Sequence, residues 1–176
     1  MKKLLLVSIL GALSITSHAA NSEIQPYVGA GYTYLDNDVD IHFLGLNAGV
    51  QFNQYIGAEA FWNKSVNDIK VDEDFEDIGI KTDVDVQYYG IALTGKYPLE
   101  NNFYAKGMVG YTRVDLDVDA HFLGYKVSES ENDSGVIIQA GGGYNFNKNI
   151  AAELAYTYIS AFDGFNGVNL QLKYNF

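Results

Sequence analysis

The chain has 176 residues, no cysteine, and 22 acidic against 11 basic side chains, for a formal net charge of −11 at pH 7. That acidity argues against nucleic acid as a partner, because the phosphates would be repelled. Without cysteine an exported chain has no disulfide framework, so packing and hydrogen bonds must stabilise it.

The chain opens MKKLLLVSILGALSITSHAA. Two lysines lead, an apolar run from Leu4 to Ile15 follows, and a small-x-small pattern ends at Ala19. The run is too short to cross a bilayer, so residues 1–19 read as a cleaved secretory signal peptide. Residues 20–176 then form one exported domain, two charge units more acidic once Lys2 and Lys3 are gone. From there on Gly 18, Tyr 14 and Phe 10 against Pro 2 favour strands with close backbone approaches over helices.

The period is two throughout, which predicts strands. In the first, Val28, Ala30, Tyr32 and Tyr34 alternate with Tyr27, Gly29, Gly31 and Thr33. The second sets Leu44, Leu46, Ala48, Val50 and Phe52 against Gly45, Asn47, Gly49 and Gln51. The third sets Ala58, Ala60 and Trp62 against Gly57, Glu59, Phe61 and Asn63. The fourth sets Tyr89, Ile91, Leu93 and Tyr97 against Tyr88, Gly90, Ala92, Thr94 and Lys96. In the fifth, Phe103, Ala105, Val109 and Tyr111 oppose Tyr104, Lys106, Met108, Gly110 and Thr112. In the sixth, Val136, Ile138, Ala140, Tyr144 and Phe146 oppose Gln139, Gly141, Gly143 and Asn145. The seventh sets Ala152, Leu154, Tyr156 and Tyr158 against Ala151, Glu153, Ala155 and Thr157. The eighth sets Val168, Leu170, Leu172, Tyr174 and Phe176 against Asn169, Gln171, Lys173 and Asn175. Tight turns fall at Asn53, Pro98 and Asn147. Longer connections are expected over Asn63–Thr82, Asp115–Ser134 and Ser160–Gly164, with a shorter one around Asp36–Asp38.

One face of these eight strands is bulky and apolar; the other is small, polar or charged. Eight strands close on an interior that side chains just fill, so the small polar face fits inside and the bulky face fits lipid. Full closure also satisfies every backbone group in hydrocarbon. Outward aromatics gather at two levels, with Tyr32, Tyr34, Trp62, Tyr89, Tyr111 and Tyr158 toward the long loops and Phe52, Tyr97, Phe103, Phe146, Tyr174 and Phe176 toward the short turns. Two such girdles mark two membrane interfaces. The fold class predicted is all-β, an eight-stranded antiparallel up-and-down transmembrane barrel.

The chain ends VNLQLKYNF, with Val168, Leu170, Leu172, Tyr174 and Phe176 at every second position. This resembles the C-terminal signature of outer-membrane barrels. Together with PYVGAGYTYL and YPLENNFYAKGMVGYTRV, it resembles the small eight-stranded family of OmpA transmembrane-domain, OmpX-type and opacity-type proteins. The resemblance implies a Gram-negative outer-membrane location and recognition of Phe176 by the barrel assembly machinery. It also implies contact with outer-membrane lipids and lipopolysaccharide, a monomeric state, no cofactor and a structural or surface-interaction role. The rivals are a small porin of low conductance and, less favoured, a lipid A-modifying enzyme.

Two constellations carry chemistry. Glu59, Lys96, Lys106, Glu153 and Lys173 all face inward near the short-turn end, and are expected to pair as an interior ion-pair network that plugs the lumen. The phrase DVDIHFLG (Asp38–Gly45) returns as DVDAHFLG (Asp117–Gly124) and, less closely, as DVDVQYYG (Asp83–Gly90). Asp38, Asp40, His42, Asp117, Asp119 and His121 are thus weak metal-site candidates. Alternate residues of a strand stand about 6.5–7 Å apart, so one strand makes a poor cage. Parity offers a second reading. It puts the aspartates outside and Val39, Val84, Val86, Leu116 and Val118 inside, the inversion expected where strands rise past the lipid into water. No nucleophile stands beside His42 or His121 in a triad pattern, so no catalytic residue is assigned.

Overall fold

The computed structural model describes residues 24–37, 39–66, 81–122 and 125–176. It consists of eight strands: β1 Gln25–Asn37, β2 Val39–Gln51, β3 Ile56–Ser65, β4 Lys81–Pro98, β5 Phe103–Phe122, β6 Tyr125–Asn145, β7 Ile150–Ile159 and β8 Phe165–Asn175. Each pairs antiparallel with its sequence neighbour, and β8 closes on β1 from Tyr27↔Asn175 to Asp36↔Asn166. At the short-turn end, Asn53 and Asn147 each accept two backbone N–H bonds through the side-chain oxygen, from Tyr55 and Ile56 and from Asn149 and Ile150. These Asx turns fix the hairpins. Between them, the β4–β5 turn holds Asn101 and Asn102 at positive φ, which asparagine tolerates.

The faces divide as the alternation predicts. Leu44, Leu46, Trp62, Ile91, Leu93, Val109, Tyr111, Leu154, Leu170 and Leu172 are exposed, while the intervening residues are buried or half-buried. A water-soluble barrel would reverse this.

One expectation fails. Asp115–Ser134 is no loop: β5 and β6 run on as a continuous ladder, Asp115↔Asn132 through Phe122↔Tyr125. The period of two never breaks there; it only changes sense, with Val114 buried and Asp117 and Glu129 exposed. β4 joins the same extension through Lys81↔His121 to Gln87↔Asp115. The long-loop end therefore carries a three-stranded sheet that outreaches its neighbours β3 and β7.

Inside, two layers stack. Toward the long loops lies an apolar core of Leu35, Ile41, Phe43, Phe61, Val86, Tyr88, Val114, Ile137 and Ile159, with Val84, Leu116, Phe162 and Phe165 against it. Phe43 meets Tyr88 edge-on, centroids 5.1 Å apart. Toward the short turns the interior is polar. The β7–β8 turn seals the top, with Phe162 and Asp163 at positive φ. Asp133 of β6 holds this turn: its carboxylate accepts the backbone N–H of Phe162 at 2.8 Å and of Ser134 at 2.7 Å.

Those two bonds, the one from Phe162 foremost, hold the Asp133 carboxyl below its usual range. A group with a lowered folded-state pKa contributes stability above its unfolded value and loses it as pH falls through the folded one. Amide-exchange protection of Phe162 is therefore expected to drop on acidification below the ordinary carboxylate range. In Asp133→Ala it should be low at every pH.

Candidate functional site

The charged interior is built from two matching cross-strand rows. In one, Tyr27 of β1 lies opposite Gly49 of β2, which lies opposite Glu59 of β3. In the other, Tyr104 of β5 lies opposite Gly143 of β6, which lies opposite Glu153 of β7. Each tyrosine lays its ring over the glycine. A Cβ on Gly49 would stand 2.5 Å from the Tyr27 ring, and one on Gly143 would overlap that of Tyr104. Only a residue without a side chain leaves that space. The hydroxyls thereby reach two strands over: Tyr27 donates to Glu59 at 2.9 Å and Tyr104 to Glu153 at 2.7 Å.

The lysines do not follow this repeat. Lys173 of β8 contacts both carboxylates, at 2.9 Å each. Lys106 of β5 meets Glu153 at 2.6 Å; the equivalent place in β1 is Gly29. Lys96 of β4 sits lower, 3.7 Å from Glu153, with its ammonium 4.8 Å from the Tyr104 centroid and 5.7 Å from that of Tyr27. Such cation–π contacts stabilise an ammonium that has few other partners. Glu59, Glu153, Lys106 and Lys173 have side chains about 1% exposed, whereas Lys96 keeps 16%. Three ammoniums thus share two carboxylates.

Parity singled out the five charged residues and placed Tyr27 and Tyr104 on the same inward face, but it gave the tyrosines no role. The available signal was a large ring facing a glycine on the neighbouring strand. Above the cluster, Thr33 accepts bonds from Tyr88 at 3.2 Å and Asn169 at 2.8 Å. Buried side-chain polar atoms of Asn47, Gln51, Thr94, Gln139, Thr157 and Gln171 have no protein partner.

The aspartate phrases are less gathered. Asp40 accepts a 2.6 Å bond from Tyr34, and His42 Nδ1 shares a hydrogen bond with the Tyr32 hydroxyl. Asp85 pairs with Lys64 at 3.4 Å and Asp115 with Arg113 at 2.9 Å. Asp85 lies directly opposite Asp117 across the β4–β5 ladder, and both are exposed. Asp38 lies outside the described residues, as do the side chains of Asp83, Asp119 and His121. Among the described residues no group of three or more acidic, histidine or cysteine side chains is placed to hold a metal ion. The last strand presents Val168, Leu170, Leu172, Tyr174 and Phe176 outward, all exposed, and Phe176 N–H donates to Pro26 at 3.0 Å.

A closed eight-stranded barrel with an apolar outer belt is now in view, and the sequence matches the family described as "Outer membrane protein beta-barrel domain" over residues 5–176. The chain belongs to this family. It is an outer-membrane β-barrel protein. No curated protein sequence matches it. Among solved structures it is similar to Ail, the attachment invasion locus protein of Yersinia pestis, at 16% identity and TM-score 0.60, covering 89% of this chain and 100% of that one. It is also similar to the N-terminal β-barrel domain of Pseudomonas aeruginosa OprF, at 12% identity and TM-score 0.59, covering 88% and 100%. A major outer membrane protein of Thermus thermophilus gives 10% identity and TM-score 0.67, covering 88% and 100%. At these identities the likeness is one of fold.

Proposed function

We propose that this barrel is a non-conducting, non-enzymatic outer-membrane protein whose lumen is plugged and whose role is structural or surface-interacting. The carrying observation is the Glu59–Glu153–Lys96–Lys106–Lys173 cluster with its tyrosine lids, capped by an apolar core. An ion crossing the lumen would have to break buried ion pairs, then pass the mainly apolar layer around Phe43 and Tyr88, where a bare charge is strongly disfavoured. The polar lower half, with its unpartnered amides, is what a low-conductance porin would offer, but the Phe43–Tyr88 layer above it would still block the path. Single-channel recording in planar bilayers is expected to show no steady openings; a stable conductance would end this reading.

On the outer side, Asp36, Asp85, Asp117, Glu129, Glu131 and Asp133 outnumber Lys64 and Arg113 among the described residues. Ail has been crystallised with the heparin analogue sucrose octasulfate. The acidic top of this chain would repel such a polyanion, so its surface partners are neutral or cationic. Lipopolysaccharide meets the barrel lower, at the Trp62, Tyr89 and Tyr111 level, and assembly proceeds through the Phe176 end, with the protein acting as a monomer.

A further inference from the structure

Val136 fixes which way the β6 backbone points. Its C=O accepts the N–H of Ser160 at 2.9 Å, and its N–H donates to the Ser160 hydroxyl at 2.9 Å. Both groups therefore face β7, away from β5. In an antiparallel ladder that direction repeats at every second residue. The β5–β6 ladder runs unbroken from Arg113↔Ser134 to Phe122↔Tyr125, so Ser134, Asn132, Ser130 and Ser128 turn their N–H and C=O groups the same way. The β7–β8 turn closes this edge only as far as Asp133, whose carboxylate takes the N–H groups of Ser134 and Phe162. Beyond it no second strand pairs with β6 among the described residues. The edge from Tyr125 to Asn132 stays open for about 26 Å, at about 3.3 Å per residue.

The side chains along this edge sort by face. Glu129 and Glu131 share the parity of the buried Ile137 and lie opposite Val118 and Leu116 of β5, yet both are exposed. Ser130 and Asn132 share the outward parity of Val136 and Ile138, and carry no charge. A strand laid against β6 alternates its faces in the same way. Its residues beside Glu129 and Glu131 stand two positions apart, where a cation is favoured and an acid is repelled. The residues between them meet only a serine and an asparagine. The other rim of the raised sheet lacks this pattern: its described acid, Asp85, already pairs with Lys64.

We propose that the open edge of β6 is a docking site for an extended segment of a cationic protein, added as a strand with lysine or arginine at two alternate positions against Glu129 and Glu131. The open N–H and C=O groups of Ser130 and Asn132 supply main-chain hydrogen bonds, and the two carboxylates set the register. In strand addition of this kind the backbone gives affinity and the alternate side chains give specificity. Long loops face the cell exterior in outer-membrane barrels, so the partner comes from outside. The site deepens the surface-interaction reading and rests on it for the outward placement of this end.

The test uses the full chain folded in detergent micelles, titrated with the end-capped peptide Val-Thr-Lys-Thr-Lys-Thr-Val and followed by isothermal calorimetry and amide hydrogen exchange. The peptide is expected to bind saturably and to protect the amides of Ser130 and Asn132. The isomer Val-Thr-Lys-Lys-Thr-Thr-Val, whose adjacent lysines face opposite ways in a strand, should bind severalfold more weakly. Glu129→Gln with Glu131→Gln should weaken the first peptide severalfold, as the loss of two exposed ion pairs. Ser130→Pro removes an open donor without touching the β5 ladder, since proline is tolerated where the N–H faces solvent. It should abolish binding, whereas Ser130→Ala should not; Asn132→Pro gives the same reading should Ser130→Pro fail to fold. Asp85→Asn, on the other rim, should leave binding unchanged. No saturable binding overturns the proposal, and so does equal binding of the two peptides or undiminished binding by the folded proline variants, since that describes general attraction of cations to an acidic surface. Such a failure would leave the plugged lumen, read by conductance, untouched.

Discussion

Glu153→Ala is expected to destabilise the barrel by about 3–5 kcal/mol, the cost of leaving a buried charge unpaired. Glu153 accepts bonds from Tyr104 at 2.7 Å and Lys106 at 2.6 Å and also meets Lys173 and Lys96. Among the described residues it is the one carboxylate paired with Lys106, so its loss strands that ammonium in the lumen. Glu59→Ala should cost less, because Lys173 retains Glu153. Urea unfolding followed by Trp62 fluorescence in lipid vesicles would rank the two. The double variant Glu153→Ala with Lys106→Met should recover part of the loss, since it removes the stranded charge. If the double variant is no more stable than the single one, the penalty does not come from the unpaired lysine.

Phe43→Ala is expected to cost a further independent amount, about 3–5 kcal/mol as for other buried phenylalanines. Its ring is 1% exposed and packs against Tyr88 in the upper core. The informative comparison lies on the same strand. Leu46→Ala removes a side chain that is 60% exposed on the lipid face, where acyl chains replace the lost contacts. It should therefore cost much less. Equal losses from the two variants would mean that the interior above the ion pairs is not a packed core. Phe43→Ala should also speed proteolysis within residues 129–135, because the sheet they belong to rests on that core.

The sequence exposes the barrel because alternation survives wherever one face meets lipid and the other meets a narrow interior. Each of the eight strands shows it, and Glu59, Glu153, Lys96, Lys106 and Lys173 stand out by sitting on the wrong side for solvent. Which of them touch is a matter of register and shear, which periodicity does not encode. Lys173 reaches Glu59 across the sequence only because β8 closes on β1. The Tyr27 and Tyr104 lids are hidden for the same reason, since each is visible only beside the glycine of a paired strand. The Asp115–Ser134 segment reads two ways in sequence: its acidic density resembles a loop, while its parity extends the strand, and the ladder follows the parity. Its alternation of Val114, Leu116 and Val118 with aspartates is a strand signal whose faces have exchanged solvents.

The raised sheet of β4, β5 and β6 has two lateral rims that no neighbouring strand covers among the described residues. One is β4 beyond Val86, whose N–H still reaches the Ser65 hydroxyl; the other is β6 beyond Ile137↔Ile159. In an outer membrane many copies of one barrel stand upright side by side, at the same height and in the same orientation. Two identical rims meeting there would zip together into a shared sheet. Among the described side chains the β6 rim carries Glu129, Glu131 and Asp133 and the β4 rim carries Asp85, so a meeting at these positions sets carboxylate against carboxylate. Charge on an open strand is a common guard against this kind of pairing. Acidity along the raised sheet is of the kind that disfavours such edge-to-edge pairing, while the hydrocarbon below holds each barrel in the membrane.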